Sequence, residues 1–546
     1  MRKQGHGSRQ AAKKKNLVLA FPPYTLPMSP PLGVCSLAGY IRRTLPDWNV
    51  RVFDFNLDWH RLFFDSLGPS RRPSSLTIDD TNLRYAAELF HTGLAEDFHQ
   101  RARYLHFAQV WGLAMRQPRF LRKNLEPAFL SGKMPDYIRH QADRVLEENP
   151  DIVGISVCYA LQRWPALCLA REIAQRSSIP LVMGGTVFSD GVPKGWGAGH
   201  RVADYVVMGA GEQPLAAILE GKVNDGPIPG VVRIVDGKAS SAAPIHESDL
   251  DSLGTPDFSD LPLDRYYSPQ PVLPITTSRG CYWRRCAFCS HFQSSGQVYQ
   301  LRSIEAVIDE LREHVMLGVR HFYLADSVVS PSRFRRFAQA IVDSGLKIHY
   351  YAMARAEKAF DRELLDLISR SGCRFILWGL ESGNQRVLDL MDKGISAETT
   401  ETILQTSREV GLRNHVFVIC GFPTETRQEF QDTIDFLVKN KENIDVVHRA
   451  IFSMEENSLV HRFPEKFSIN DFWPKATPRL FDFTTTKGMT RAEVKAAFLA
   501  ARPTMLSFSG HPSVPGDFKF REHCLLHYAK NSEEPPKHES PSMRLA

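Results

Sequence analysis

The 546-residue chain has no long hydrophobic run. Its first apolar stretch, NLVLAFPPY from Asn16, is broken by prolines, is too short to span a bilayer and is followed by no small-residue cleavage pattern. A transmembrane segment and a secretory leader are therefore not expected. Cysteine is scarce, at nine residues, and is not spread in the even framework of a small disulfide-stapled scaffold. Cys35, Cys158, Cys168, Cys373, Cys420 and Cys524 are scattered, mostly in apolar contexts, which predicts a reduced, cytoplasmic protein. The net charge of +6 is carried in part by the basic start MRKQGHGSRQAAKKK, which reads as a solvated arm, and no nucleic-acid partner is expected.

Against this background three cysteines crowd into one stretch, SRGCYWRRCAFCS. Cys281, Cys286 and Cys289 can hold three irons of a 4Fe-4S cluster, and no fourth cysteine stands close by, so one iron would stay open to another ligand. A structural zinc site would need a fourth ligand, for which His291 is the near candidate, and chance clustering of core cysteines is the remaining alternative. Phe288 and the strand-like PITTSRG before Cys281 favour the cluster.

At this length more than one domain is expected. The reading divides the chain into a flexible arm (1–15), an α/β domain (16–235) with a helical insertion at about 77–149, a linker (236–270), a second α/β domain (271–480), a helical element (481–530) and a disordered tail (531–546). In the first domain apolar runs begin at Asn16, Asn49, Asp151, Ile179 and Asp204 and alternate with helical stretches, which predicts an open parallel sheet. Ligands of such sheets gather beyond the strand carboxyl ends. There the candidates are Gly33, Ser156, Gly184, Gly185, Thr186, Gly209 and Glu212, small residues prominent among them. Glycines required for tight turns alone are the structural alternative.

The second domain repeats the alternation from Ile275, His321, Lys347, Arg374, Arg413 and Asp445, six units that predict a partial barrel with its chemistry at the strand carboxyl ends. The cysteine loop follows the first strand. Asp326 and Ser327 follow the second, Arg355 closes the third, Glu381 the fourth and Gly421 the fifth.

Two resemblances then enter. PPLG…LAGYIRRT, PDIVGISV, LVMGGT and DYVVMGAGEQPL resemble the cobalamin-binding domain in front of many radical S-adenosylmethionine (SAM) enzymes, over most of Leu17 to Gly221. WGLESGNQRVLDLMDKGI and VICGFPTET, with the cysteine loop, resemble the radical SAM core from about Ile275 to Met454. The resemblance implies a Rossmann-like domain followed by a partial (β/α)6 barrel of the TIM type. It implies that Cys281, Cys286 and Cys289 ligate the cluster and that the open iron chelates SAM. Phe288, Asp326, Ser327, Arg355, Glu381 and Gly421 would lie around SAM, and the seven first-domain residues around cobalamin.

Two departures stand out. The cobalt-ligating pattern Asp-x-His-x-x-Gly is missing, since neither Asp58-Trp59-His60 nor Asp97-Phe98-His99 completes it; a cobalamin without that lower histidine is expected. Four residues, Tyr282 to Arg285, also separate the first two cysteines, where most members have three.

The implied activity is a cobalamin-dependent radical methyltransferase acting on carbon, less often phosphorus, of a metabolite, natural-product intermediate, peptide or lipid. It would draw electrons from an external donor such as flavodoxin or ferredoxin. Oxidation or ring formation with the same cofactors, as in the anaerobic cyclases of chlorophyll synthesis, and a non-catalytic sensor remain open. A methylthiotransferase is disfavoured because no second cysteine triplet precedes Cys281. His523 and His527, four apart, are expected to be structural.

Overall fold

The computed structural model describes residues 14–533 apart from 70–78, 94–97, 99, 116–117, 190, 194, 198, 236–237, 241, 246–248, 291–297, 476–478 and 509–519. The expectations placed on Asp97, His99, His291 and most of both terminal segments lie outside the described residues.

The first sheet grows from apolar runs that satisfy their backbone only by pairing. Strands β1 (Lys15–Phe21), β2 (Trp48–Asp54), β3 (Ile152–Ser156), β4 (Leu181–Gly184) and β5 (Tyr205–Val207) run parallel in the order β2-β1-β3-β4-β5. These five are the strands of the expected open parallel sheet, and β6 (Val231–Val235) and β7 (Lys238–Ala239), not foreseen, extend it antiparallel at one edge. Helices α1 (Leu32–Thr44) and α2 (Phe55–Asp65) flank β2, and the insertion forms α3 (Asp80–Thr92), α4 (Arg101–Met115), α5 (Pro118–Ser131) and α6 (Asp136–Glu147). Helix α7 (Arg163–Arg176) follows β3, and α8 (Glu212–Leu219) follows β5.

The second sheet is parallel throughout, in the order β15-β14-β13-β12-β11-β8. Its strands are β8 (Val272–Ile275), β11 (His321–Leu324), β12 (His349–Ala354), β13 (Cys373–Glu381), β14 (Arg413–Cys420) and β15 (Val446–Ile451). The central β13 is nearly continuous in apolar residues because helices cover one face and the barrel interior the other. The crossover helices are α9 (Ile304–Met316), α10 (Pro331–Ser344), α11 (Arg362–Arg370), α12 (Gln385–Leu390), α13 (Ala397–Glu409) and α14 (Arg427–Lys439). Ser330 caps α10 through Arg333 N, with Pro331 in its first turn, and Thr426 and Glu429 close a capping box on α14.

Other boundaries differ from expectation. The first barrel strand ends at Ile275 rather than starting there, while Ser278–Arg279 (β9) pairs antiparallel with Gln300–Leu301 (β10). The segment expected as a linker packs on the first domain: Arg42 of α1 pairs with Asp257 (2.5 Å) and Asp260 (2.6 Å). Position 480 cuts through a three-stranded antiparallel sheet of Met454–Glu455 (β16), Ile469–Pro474 (β17) and Leu480–Thr485 (β18), which precedes α15 (Arg491–Ser507) and α16 (Arg521–Glu533). Among the described residues no helix is long and apolar enough to cross a membrane.

Candidate cluster and cofactor site

The cysteine loop leaves the barrel mouth between β9 and β10, whose short ladder pins its base. Asp326 fixes the chain just before it. Its buried carboxylate accepts from Thr277 N (2.7 Å), Thr277 Oγ1 (2.6 Å) and Ser278 Oγ (2.6 Å) and so holds the strand end. Burial raises Asp326 above the ordinary carboxylate range, and these donors pull it back. Ser327 beside it is half-buried.

No disulfide joins the nine cysteines, and Cys281, Cys286 and Cys289 are half-buried. Among the described residues no three Cys, His, Asp or Glu side chains converge tightly enough to hold a single metal ion. A cuboidal cluster makes a different demand, because each thiolate takes its own iron at a separate corner. Three partly accessible cysteines within nine residues fit that demand in donor chemistry. Burial raises the Cys286 thiol; the Lys393 ammonium is the strongest opposing influence, with Arg355 also lowering it, while Glu381 and Cys281 add to the rise.

Around the loop, the predicted Arg355, Glu381 and Phe288 come together through a residue that was not singled out, Lys393. Its Nζ lies 2.8 Å from Glu381 Oε1 and 5.6 Å from the centre of the Phe288 ring. The Arg355 guanidinium donates to the Lys393 carbonyl (3.0 and 3.2 Å) and the Gly394 carbonyl (3.1 Å). It also stacks 3.5 Å from the centre of the Trp283 ring. Gly421 sits apart from this group: its N–H donates to the buried Glu425 (2.5 Å), and a side chain there would strike Val494 of α15. Lys393 lies in the MDKG run and Trp283 in the cysteine loop, so both stood in view in the sequence, but no local rule links residues 110 positions apart.

At the carboxyl edge of the first sheet the small residues divide. Gly33 is exposed in the first turn of α1, with open space where a side chain would go, and Gly184 makes only ordinary contacts. Gly185 has φ 107°, and a Cβ there would lie 2.5 Å from Val157 O; Gly209 likewise abuts Ile245. Ser156 Oγ lies 3.6 Å from Cys158 Sγ, and Thr186 donates its hydroxyl to the Cys158 carbonyl. Glu212, a cobalamin candidate, is buried and paired with Arg279 (2.6 Å), two residues before Cys281. This pair joins the first domain to the cysteine loop. Arg279 draws the Glu212 carboxyl below its usual range although burial, the largest influence, acts the other way.

Gln162 also escaped sequence reasoning; it ties two strand-end loops by donating to Pro22 O (2.6 Å) and accepting from Cys158 N (2.8 Å). Nearby Leu26, Tyr159 and Leu161 expose large apolar surface. An uncovered apolar rim at a strand-end crevice fits a broad, flat ligand. His60 is sealed in the core, with Nε2 2.7 Å from Thr25 O, and burial lowers it to about 4. His523 is equally buried, between the Tyr104 hydroxyl (3.0 Å) and Tyr267 O (2.7 Å), in the structural role expected of it.

Residues 275–437 match the radical SAM superfamily. The barrel that carries the cysteine loop is thus similar to radical SAM enzymes. An uncharacterized methyltransferase of Pyrococcus horikoshii is 26% identical over 330 residues, 58% of this chain and 71% of the relative. Cytidylyl-2-hydroxyethylphosphonate methyltransferase of Streptomyces wedmorensis is 28% identical over 278 residues, 43% of this chain, and the chain spans about half of its length, 52%. Among solved radical SAM structures, the cobalamin-dependent enzyme OxsB with aqua-cobalamin and SAM bound superposes with a TM-score of 0.63 at 14% identity, over 90% of this chain and 66% of that one. That likeness is one of fold.

Proposed function

We propose that this protein is a cobalamin-dependent radical SAM methyltransferase that methylates an unactivated carbon, or less often phosphorus, of a metabolite, natural-product intermediate, peptide or lipid. The observation that carries the reading is the Glu212–Arg279 pair, which sets the cysteine loop directly against the carboxyl edge of the first sheet. A 4Fe-4S cluster with SAM on one side of that junction and cobalamin on the other would supply hydrogen abstraction and a transferable methyl group.

The chain's own residues position and shield these groups. Cys281, Cys286 and Cys289 ligate the cluster. Arg355, Glu381, Phe288, Ser327 and the Gly421 region border SAM, with Asp326 acting by holding the strand end. Gly33, Ser156, Gly184, Gly185, Thr186 and Gly209 border cobalamin, while Glu212 acts through Arg279. His60 is enclosed and already bonded, which supports a cobalt without a histidine from the missing motif. Flavodoxin or ferredoxin in a reducing cytoplasm is the proposed electron source.

Anaerobic reconstitution tests the reading. The reduced enzyme with SAM should form 5′-deoxyadenosine, show corrinoid absorbance after cobalamin loading, and give a product heavier by one CH2 group. A cyclised product without that gain would turn the assignment to the oxidative alternative, and ligand binding without 5′-deoxyadenosine would turn it to a sensor.

A further inference from the structure

The additional residue between Cys281 and Cys286 has a structural consequence. Arg284 takes a left-handed φ of 52°, which absorbs the extra length and leaves Trp283 half-buried while Arg285 stays exposed. The Trp283 indole N–H donates to Asp392 O at 2.8 Å. Its ring fits where Gly394, at φ 64°, has no side chain; a Cβ there would lie 2.1 Å from the indole. Arg285 pairs with Asp392 at 3.0 Å, Ala287 N–H donates to Met391 O at 2.8 Å, and Phe288 faces Lys393 Nζ. Four residues of the cysteine loop thus rest on one turn, residues 391–394. The Arg355 guanidinium, stacked on Trp283, fastens that turn by its carbonyls, and the turn's Lys393 is held in the interior by Glu381, each side chain 8% exposed.

We propose that the 391–394 turn is the template on which the cysteine loop is built, with Trp283 as its anchor and Lys393 as the cation it presents to the cluster. Both are positioning residues, the four-residue spacing is the length the anchor requires, and the inference rests on the cluster reading above. A thiolate-bound cluster gains negative charge on reduction, and a fixed ammonium in a poorly solvated pocket favours that reduced form.

The test uses the full chain, reconstituted anaerobically with iron and sulfide, and reads iron content, cluster absorbance under a chelator and midpoint potential. Trp283→Ala and deletion of Arg284 should each speed cluster loss several-fold. Trp283→Phe, which keeps the stacking on Arg355 but not the bond to Asp392, should fall between. Lys393→Gln should keep its iron but show a ratio of reduced to oxidised cluster about tenfold lower at a fixed poise, a shift of about 59 mV to more negative potential. Lys393→Arg should restore most of it. Unchanged cluster lifetime in all three loop variants overturns the anchor, and an unchanged potential in Lys393→Gln overturns the cation. Cys286→Ala separates these failures from that of the ligand assignment: retention of a full cluster there would remove the cluster reading itself.

Discussion

Glu425 shows what one side chain's surroundings can do to the whole protein's response to pH. It is 1% exposed; one carboxylate oxygen accepts from Gly421 N–H and the other has no hydrogen-bond partner. Burial raises it to about 8, Glu429 adds to the rise, and Arg386 and the Gly421 N–H oppose it. Between its ordinary value of 4.5 and about 8 the folded chain therefore holds a proton that the unfolded chain has released. Stability should fall as pH rises through that window and level off above it, by about 5 kcal/mol from this group. Urea unfolding from pH 5 to 9 should show the decline in the wild type and a flatter profile in Glu425→Gln; an equally steep profile in the variant removes Glu425 as its source. At this scale the sequence was informative where the chemistry is local. Three cysteines in one loop can be read without a fold, whereas nothing local reveals that Asp326 accepts from Thr277 and Ser278, about 50 positions earlier.

At the level of elements, the two halves of the carboxyl edge of the first sheet make opposite predictions. Gly33 at the start of α1 borders open space, so Gly33→Phe should leave the unfolding free energy within about 0.5 kcal/mol of wild type while blocking cobalamin uptake, read as the corrinoid absorbance retained after gel filtration. Uptake equal to wild type would remove α1 from the cobalamin site. Gly185→Ala instead forces a side chain onto Val157 O at a positive φ and should cost about 2 kcal/mol or more of stability even without cofactor. Both glycines looked alike in the sequence, since composition does not say whether the missing side chain would meet backbone or solvent. Strand positions were largely legible from apolar runs bounded by turn residues. The first barrel strand, read from Ile275, lies earlier at Val272–Ile275 and includes Pro274, whose missing N–H is tolerated because β8 lies at the sheet edge. The antiparallel β6 and β7 carried a usable cue in Asp236-Gly237 between two short runs.

The whole molecule depends on contacts that no window of sequence contains. Helix α16 places Glu522 against the Tyr351 hydroxyl (3.3 Å) of the barrel and His523 against Tyr104 of the insertion, so the last described helix clasps both domains. Tyr266 donates to Asp54 (2.6 Å) from the segment expected to be a linker. The contact of most consequence for function is Glu212–Arg279, because it sets how the cysteine loop faces the first sheet. Removing one member leaves the other's charge poorly compensated, so Glu212→Ala should cost about 3 kcal/mol, and the Glu212→Ala/Arg279→Ala double variant less than the sum of the single variants. The pair lies between the two proposed cofactor sites and not within the 391–394 turn, so 5′-deoxyadenosine formation should persist in Glu212→Ala. The yield of methylated product per 5′-deoxyadenosine should fall several-fold, because the two halves of the reaction would no longer be held in register. Strict additivity of the two substitutions, or a loss of 5′-deoxyadenosine in parallel with product, would mean that the pair serves the barrel alone and that the junction is set by α16 and the connecting segment instead.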